Sequence, residues 1–394
     1  MKEISIILLM LFLSSCSLSK LISAKKDEEV SADNKYVKIE FDNQPLLQVK
    51  FPTGEIKKMA LDLGAGTSIL LKNTGLDFID TLKPELSFGK SISVNNKKEK
   101  NTYYKVGQLK TNGFSISNAF FPAVSSFQAN PCKHISGVWG ADIFEGKILV
   151  LKNADSTIAV FDTLPNLDGW SLIESEFKYP YFYIFVKIGG KNVRLLLDTG
   201  SSSSIALSNK YFKKVFQGSS DIFYRVEKIY GSAFVSSNGV IADTTQIYHY
   251  NQAYFGGFLI PKLKILTNEN LKRNTIGMQV LKSFNILLDY KSNKLYLQPN
   301  HHLDGIDKVN YLSEKGLFLK NTRDNRVVVS AIQVNSVAEK AGLKVGDFVL
   351  SINKIQVDES NICNAINRFT EITTQDKYNE IVVSRENETL TLSF

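Results

Sequence analysis

Short apolar segments separated by turn-forming residues run through most of the chain. The segment 181–188 is rich in aromatic and β-branched residues, and the turn 189–192 joins it to the apolar segment 193–197. The segments 44–51 and 56–63 follow the same plan on either side of a Pro-Thr-Gly-Glu turn. Two apolar runs that flank a short turn predict a β-hairpin. The pattern therefore indicates β-structure in both places rather than alternating strands and helices.

Each predicted hairpin ends in an aspartate that small residues follow. Residues 61–67 are LDLGAGT and residues 197–203 are LDTGSSS, so that Asp62 and Asp198 occupy matching positions 136 residues apart (198 − 62). A single Asp-x-Gly sequence most often forms a turn or caps a helix. Two such aspartates in matched surroundings suggest that the fold brings them together. Carboxyl groups in contact can share one proton, because both cannot ionise easily side by side.

A second pair of segments repeats with nearly the same offset. Residues 137–144 are GVWGADIF and residues 274–281 are NTIGMQVL, each before a short apolar segment. Gly140 and Gly277 are 137 residues apart (277 − 140). Two landmarks with one offset are difficult to obtain by chance, and the repeat is longer than the units of solenoid proteins. We therefore predict one all-β lobe that was duplicated and then diverged.

These motifs resemble those of pepsin-like and retropepsin-like aspartic proteases, especially bacterial ones that hold both lobes in one chain. The resemblance covers about residues 36–300. It implies a mainly β fold with two lobes related by a pseudo-twofold axis, residues 36–165 and 166–300. It also implies that Asp62 and Asp198 are catalytic: one is the base for a bound water, and the other is protonated and polarises the scissile carbonyl. Such a reaction requires no metal ion and no cofactor.

The same resemblance assigns supporting roles to residues around the two aspartates. The expected supports of the active-site loops are Gly64, Ala65, Thr199, Gly200, Ser201, Gly140 and Gly277. In the family the segments that here contain Gly140 and Gly277 pass behind the catalytic loops. Glycine suits these positions because tight turns and close backbone approach leave little room for a side chain.

The segments that follow the two aspartates differ from each other at two positions, and one of these differences is also a departure from the family pattern. The family usually has Thr or Ser directly after the aspartate, where its hydroxyl ties the loops together; Thr199 fits, whereas Leu63 has no hydroxyl. Losing such a hydrogen bond costs about 1 kcal/mol if its partner finds another donor. At the third position after each aspartate, Ser201 has a hydroxyl and Ala65 has none. A hydroxyl bonded to a carboxylate favours the charged form, so we expect Asp198 to be the more acidic partner.

Each lobe is also expected to contribute a hairpin that covers bound peptide. The first-lobe candidate is residues 91–104, with a polar tip at 95–100, and the second-lobe candidate is residues 231–239. In the family such a flap closes over the substrate and excludes water. A surface hairpin without that role is an equally good interpretation of either segment.

The pattern changes after residue 302. Residues 336–353 are SVAEKAGLKVGDFVLSIN, and they follow the apolar segment 327–332. This string resembles the PDZ domains that accompany bacterial proteases, and it implies a small α+β PDZ domain at residues 307–394. Within it, Ser336 would begin a short helix and Gly342 would end that helix in a left-handed conformation.

The resemblance to PDZ domains also implies a peptide-binding site. The backbone N–H groups expected to bind the terminal carboxylate of a peptide belong to Gly316, Leu317, Phe318 and Leu319. The peptide would add as a strand beside residues 317–320, and a helix at 361–369 would form the other wall of the groove. The alternative is a degenerate groove in a domain that only packs against the lobes.

The first residues are predicted to direct export. A basic start and a short apolar run, too short to span a bilayer, are typical of a secretory signal peptide, here residues 1–15. The sequence LSSC at 13–16 resembles a bacterial lipobox, in which Cys16 would carry the lipid anchor; a plain signal with an incidental cysteine is the alternative. Residues 16–35 are polar and predict a flexible tether. We therefore expect a lipoprotein of the bacterial cell envelope, in the outer membrane and facing the periplasm or the exterior.

Composition and charge argue against several other classes of protein. The net charge is +8, but the lysines are scattered and no aromatic residues alternate with them, so no nucleic-acid partner is expected. After lipidation, Cys132 and Cys363 remain in different predicted domains, and neither a disulfide nor a metal site is expected from them. The adjacent His301 and His302 lie in a predicted linker, where solvation is a better interpretation than metal binding.

Taken together, the sequence predicts a monomeric, lipid-anchored aspartic endopeptidase. Its substrate would be a peptide or an unfolded protein, and a peptide with a free C-terminus is a possible ligand of the PDZ domain. The alternative is an inactive pseudoprotease that binds extended peptides as a scaffold or sensor of the cell envelope, and Leu63 favours it. Residues 200–204 lack the G-x-S-x-G nucleophile pattern, and residues 64–66 lack the further glycine of a dinucleotide-binding loop.

Overall fold

The computed structural model describes residues 18–41, 44–72, 79, 81–92, 98–125, 135–231, 234–236, 239–241, 244–300, 315–322, 326–358 and 380–393. The predicted signal peptide, Cys16, both remaining cysteines, the adjacent histidines and the helix expected at 361–369 lie outside these residues. The described part is mainly β, as the sequence predicts. No helix in it is long and apolar enough to cross a membrane.

The strands fall into three groups along the chain. The first group is β1 (Glu29–Ala32), β2 (Val37–Lys38), β3 (Glu40–Phe41), β4 (Pro45–Lys50), β5 (Ile56–Leu61), β6 (Ile69–Lys72), β7 (Leu86–Ile92), β8 (Lys98–Lys110), β9 (Phe114–Ser125), β10 (Ile135–Trp139), β11 (Ile148–Lys152) and β12 (Thr157–Phe161). The second group is β13 (Ser171–Ile173), β14 (Ser175–Lys178), β15 (Tyr181–Ile188), β16 (Lys191–Leu197), β17 (Ile205–Ser208), β18 (Arg225–Gly231), β19 (Phe234–Ser236), β20 (Gly239–Ile241), β21 (Thr245–Phe255), β22 (Phe258–Asn268), β23 (Thr275–Ile276), β24 (Phe284–Asp289) and β25 (Lys294–Pro299). The third group is β26 (Leu317–Asn321), β27 (Val327–Gln333), β28 (Phe348–Ile352), β29 (Ile355–Gln356), β30 (Glu380–Arg385) and β31 (Glu388–Ser393).

Helices are few and short. The α-helices are residues 18–26, Asn209–Phe216, Met278–Leu281 and Val337–Lys340, and the 3₁₀ helices are Ala141–Phe144 and Ser220–Ile222. Ser336 caps the helix Val337–Lys340 through its hydroxyl, which accepts from the N–H of Glu339, and Gly342 follows with a φ of +89°. Both features agree with the start and the end of this helix that the sequence predicts.

The duplication found in the sequence is present in the strand topology. We call residues 36–165 the first repeat and residues 166–300 the second repeat. In the first repeat, β10 pairs in parallel with β5 and antiparallel with β6, which pairs in parallel with β9. In the second repeat, β23 pairs in parallel with β16 and antiparallel with β17, which pairs in parallel with β22. The repeats join where β11 and β24 pair antiparallel in a six-stranded sheet.

A single apolar core extends through both repeats. Trp139, at the end of β10, is fully buried there, and the rings of Phe114 and Phe121 meet it edge to face. Large buried rings in such contact stabilise a fold through apolar area and ring geometry together. The core therefore holds rigid the strand that lies directly behind the first aspartate.

Residues 16–35 were expected to form a flexible tether, but the described part of this segment contains a helix and a strand. Residues 18–26 form a helix, and β1 pairs antiparallel with β9 of the first repeat. The ammonium group of Lys25 lies 2.7 Å from the carboxylate of Glu28 and 3.4 Å from that of Asp142. Val30 and Ala32 pack against the apolar core. The segment is polar overall, but its few apolar residues alternate as those of an edge strand do, which composition alone does not reveal.

The C-terminal domain is joined to the second repeat by a shared sheet. Residues 229–231 of β18 pair antiparallel with residues 331–333 of β27. Phe318, in the segment predicted to bind peptide, packs into a small apolar cluster formed with Ile229, Ile247, Leu266 and Ala331. The domain also has its own core, which includes Leu317, Val329 and Ile352. Strand pairing and apolar contact therefore fix this domain against the second repeat.

We expect Phe318→Ala to lower the free energy of unfolding by about 2 kcal/mol, since it removes most of a half-buried ring from a small cluster. Denaturant unfolding of the full chain measures this change. Leu350→Ala is the matched control, because this apolar side chain on β28 is 36% exposed and its loss creates a smaller cavity. Equal unfolding midpoints for the two variants would contradict a stabilising contact at Phe318.

Candidate active site

The structure brings Asp62 and Asp198 together. Asp62 follows β5 and Asp198 follows β16, the equivalent strands of the two repeats. A hydrogen bond joins the two side chains, and each aspartate keeps part of its surface accessible. We call residues 61–67 the first Asp loop and residues 197–203 the second Asp loop. The loops thus place two carboxyl groups in contact, and each of the two residues is partly exposed to solvent.

The first glycine of each Asp loop packs against the aspartate of the other loop. A Cβ built on Gly64 would lie 2.5 Å from the carboxyl carbon of Asp198. A Cβ built on Gly200 would overlap the carboxyl carbon of Asp62. The close approach of the two carboxyl groups therefore requires glycine at both positions, which gives a physical reason for the repeated Asp-x-Gly motif.

The segments around Gly140 and Gly277 pass behind the Asp loops. The N–H of Asp62 donates to the carbonyl of Trp139 at 2.9 Å, and the carbonyl of Ile276 accepts from the N–H of the second aspartate at 3.1 Å. A Cβ on Gly140 would lie 2.7 Å from the backbone of the first Asp loop. Each aspartate is therefore held from behind by the same kind of strand.

Backbone N–H groups reach the two carboxyl groups unequally. The Oδ1 atom of Asp62 accepts from the N–H groups of Gly64 at 2.9 Å and Ala65 at 3.0 Å. The Oδ1 atom of Asp198 accepts from the N–H of Ser201 at 3.0 Å. Hydrogen bonds from N–H groups favour a charged carboxylate. The first Asp loop therefore stabilises negative charge better than the second.

The geometry of the two loops argues against the expectation that Asp198 is the more acidic partner. The hydroxyl of Ser201 lies 2.7 Å from that of Ser203 and bonds to it rather than to the carboxylate. Burial raises the pKa of Asp198 well above its ordinary value, and the negative charge of Asp62 raises it further. Burial also raises the pKa of Asp62, but the hydrogen bonds from Asp198 and from two backbone N–H groups oppose that effect. The geometry therefore favours a charged Asp62 beside a protonated Asp198.

Thr199 ties the second Asp loop to the first. Its buried hydroxyl donates to the carbonyl of Leu61 at 2.8 Å and accepts from the N–H of Leu63 at 3.0 Å. The position of Leu63 in the other loop has no hydroxyl, and its side chain packs in the apolar core instead. One half of the expected reciprocal tie is therefore present and the other half is replaced by apolar packing.

Two further groups support the site, and the sequence patterns did not point to either. Asp142 accepts from the N–H of Ser68 at 2.8 Å and from its hydroxyl at 2.9 Å, and that hydroxyl accepts from the N–H of Gly140. Arg273 of the second repeat donates to the carbonyl of Gly64 at 2.8 Å. Asp142 lies two residues after a repeated glycine, so the repeat itself offered a signal for it. No local pattern marked Arg273.

The predicted covering hairpins are hairpins in their described parts. β7 pairs with β8 up to Ile92 and Lys98, and residues 93–97 lie outside the described residues. β19 pairs with β20 in the second repeat, and residues 237–238 are likewise outside. A role in covering bound peptide remains a prediction for both.

The four residues predicted to bind a peptide carboxylate lie at the start of β26. Gly316 precedes β26 with a φ of +79°, and its carbonyl accepts from the N–H of Gln333 at 2.8 Å. The side chains of Leu317 and Leu319 face the core of the C-terminal domain, whereas Phe318 faces the second repeat. β26 pairs with β27, and no other described strand pairs with its opposite edge.

A cavity of about 530 Å³ lies away from the two aspartates. It is lined by the turn at Gly189 and Gly190 and by the rings of Phe185, Tyr250 and Tyr254. β16 begins beside this turn and reaches Asp198 only at its other end, about 20 Å away for a strand of that length. The cavity is therefore separate from the dyad.

The raised pKa of Asp198 predicts a pH-dependent gain in stability on replacement with asparagine. Below the ordinary pKa of an aspartate, about 3.9, both the folded and the unfolded protein hold this proton. As pH rises toward the raised pKa of the folded protein, only the unfolded state releases it, so the wild type loses stability there. We expect Asp198→Asn to remove this loss, which grows by about 1.4 kcal/mol for each pH unit between the two pKa values.

The measurement is the denaturant midpoint of both proteins from pH 3 to pH 8. The variant should match the wild type at the acidic end and exceed it increasingly as pH rises. Asp155→Asn, an exposed change in a turn, is the matched surface control. A constant or shrinking advantage of Asp198→Asn would contradict the raised pKa.

Comparisons with known proteins identify one part of the chain. The sequence model of a family described as PDZ domain matches residues 328–367, so a PDZ domain is present there. The chain is also similar to a solved structure of conglutin gamma, a basic 7S globulin from lupine seeds, with a TM-score of 0.42 and 10% identity over 70% of this chain and 95% of the other. A search of curated proteins finds none that matches the chain. In the part of the chain that the structure describes, no three His, Cys, Asp or Glu residues gather closely enough to hold a metal ion.

Proposed function

We propose that residues 36–300 form an aspartic endopeptidase of the two-lobed, pepsin-like kind. The observation that carries this proposal is the contact between Asp62 and Asp198, each on an Asp-x-Gly loop whose glycine packs against the other carboxyl. Paired carboxyl groups that share a proton are the chemistry of water activation by aspartic proteases. The chain would act on peptides or unfolded proteins, without metal or cofactor.

The asymmetry of the dyad assigns a role to each aspartate in the proposed reaction. Charged Asp62, held by two backbone N–H groups, takes a proton from the attacking water. Protonated Asp198 donates its proton to the carbonyl oxygen of the substrate as the water oxygen bonds to the carbonyl carbon. The resulting diol collapses when Asp62, now protonated, gives its proton to the leaving nitrogen and the C–N bond breaks. Charged Asp198 takes a proton from a diol hydroxyl, which leaves a carboxylic acid product and restores the starting dyad.

The PDZ domain supports binding of a peptide or partner. We propose that this ligand adds as a strand beside residues 317–320 of β26, the mode of peptide binding in which backbone groups of a strand pair with the ligand. The pairing of β18 with β27 supports a fixed relation between this domain and the second repeat.

We further propose that Cys16 carries a lipid anchor in the bacterial envelope. Residues 18–26 already form a helix, and Lys25 at its end contacts Asp142 of the first repeat. An anchor at Cys16 would therefore hold the first repeat close to the membrane surface rather than on a long tether. Loss of the protein from the membrane fraction on Cys16→Ser tests this proposal; unchanged membrane association would contradict it.

A pseudoprotease that binds extended peptides is the second candidate, and the missing hydroxyl at Leu63 favours it. The experiment uses the chain without residues 1–16, incubated with a mixed peptide library from pH 3 to pH 7. It is run with and without a peptide that carries a secondary alcohol in place of the scissile bond. We expect cleavage that this peptide inhibits. Binding of the peptide without any cleavage across the pH range would favour the pseudoprotease.

A further inference from the structure

Arg273 crosses from the second repeat to the first Asp loop. It lies two residues before β23, the strand that supports Asp198 from behind. Its Nη1 atom donates to the carbonyl of Gly64 at 2.8 Å, and its guanidinium carbon lies 5.2 Å from the centre of the Tyr181 ring. The arginine is therefore fixed at its base by the second repeat and at its tip by the loop of the first aspartate.

Tyr181 completes the contact. The Nη2 atom of Arg273 lies 3.5 Å from the hydroxyl of Tyr181, and a Cβ built on Gly66 would overlap that hydroxyl. The first Asp loop thus packs against Tyr181 at Gly66 and accepts a hydrogen bond from Arg273 at Gly64. Both partners belong to the second repeat, although the loop belongs to the first.

The loop that receives these contacts is the one without its own hydroxyl. Thr199 bonds to it at Leu61 and Leu63, and Arg273 bonds to it at Gly64, so the second repeat holds it at three nearby backbone groups. The position that corresponds to Arg273 in the first repeat, 137 residues earlier, is Ser136, which is buried. The arginine therefore occurs in one repeat and not at the matching position of the other. The hydroxyl after the aspartate is likewise present in one Asp loop and missing from the other.

We propose that Arg273 is a positioning residue that ties the two repeats across the dyad in place of the hydroxyl that Leu63 lacks. This inference rests on the proposed protease function. The guanidinium group lies beside the dyad, where its positive charge opposes the rise in pKa that burial causes in both aspartates. Arg273 therefore has two separable effects, one on the geometry of the first Asp loop and one on the acidity of the dyad.

The test compares pH profiles of kcat/KM for the wild type, Arg273→Met and Arg273→Lys. For Arg273→Met, we expect at least a tenfold lower maximum and an acid limb moved upward by about half a pH unit, since a nearby charge is lost. For Arg273→Lys, we expect a lower maximum but an acid limb at the same pH as in the wild type, because lysine keeps the charge but not the planar fork of donors. Arg225→Met is the matched control, since Arg225 is an exposed arginine that pairs with Glu227 on β18.

A second variant separates geometry from charge. Leu63→Thr restores a hydroxyl at the position that matches Thr199, so Leu63→Thr combined with Arg273→Met should recover most of the lost maximum rate. The acid limb should stay shifted, because the hydroxyl brings no charge. An Arg273→Met profile that overlays the wild type would overturn the inference while leaving the protease function intact. An absence of cleavage in the wild type would instead overturn the function itself.

Discussion

Replacing either Asp62 or Asp198 with asparagine is expected to lower the rate of peptide-bond cleavage by about a thousandfold or more. An asparagine in place of Asp62 could not take a proton from water, and one in place of Asp198 could not give a proton to the substrate carbonyl. Groups that act as one unit are strongly non-additive, so the double variant should be scarcely slower than either single one. The measurement is kcat/KM on a peptide selected from the library, with Asp155→Asn as the matched surface control.

The fold should survive these changes, because asparagine has nearly the same shape as aspartate. An unfolding midpoint at or above that of the wild type would show that the lost rate is chemical rather than structural. Cleavage within a factor of ten of the wild-type rate in either single variant would contradict a dyad in which both carboxyl groups react.

Gly200→Ala is expected to reduce kcat/KM by about a hundredfold or more. The added methyl would overlap the carboxyl carbon of Asp62, which must move aside or be pushed away from Asp198. A displacement of about 1 Å in a reacting group costs a factor of this size. Gly64→Ala should act in the same way on Asp198, whose carboxyl carbon would lie 2.5 Å from the new methyl group.

Gly113→Ala is the control for the glycine variants. Gly113 lies in the turn between β8 and β9, and its Cβ would meet only the end of the Val37 side chain, at 3.1 Å. We expect a small change in stability and none in the pH profile. Normal activity in Gly200→Ala would mean that this glycine does not set the position of Asp62.

Local pattern was enough to predict the elements that carry the dyad. The aromatic run 181–188 is the strand Tyr181–Ile188, and the turn after it leads into β16 and Asp198 as expected. The offset shared by the aspartates and the glycines behind them indicated that both loops face one boundary. These predictions succeeded because hydrophobic periodicity and turn residues are encoded over a few neighbouring positions.

Contacts between distant segments were not predictable in the same way. The bond from Arg273 to Gly64 joins residues that are 209 positions apart, and no spacing rule relates them. The sequence does not show whether the hydroxyl of Ser201 bonds to the carboxylate of Asp198 or to Ser203, and only the folded loop shows its contact with Ser203. The pairing of β18 with β27 likewise depends on how the second repeat and the C-terminal domain meet. Such choices are made by tertiary packing, which a short motif does not contain.

The most direct test of the shared proton is a titration of the two carboxyl carbons in protein labelled with ¹³C at the aspartate side chains. Comparison with Asp62→Asn and Asp198→Asn assigns the two signals. We expect Asp198 to remain protonated well above the ordinary range of aspartates while Asp62 is charged beside it. Independent titration of both carboxyl groups near about 3.9, the value of an unperturbed aspartate, would contradict the proposed dyad.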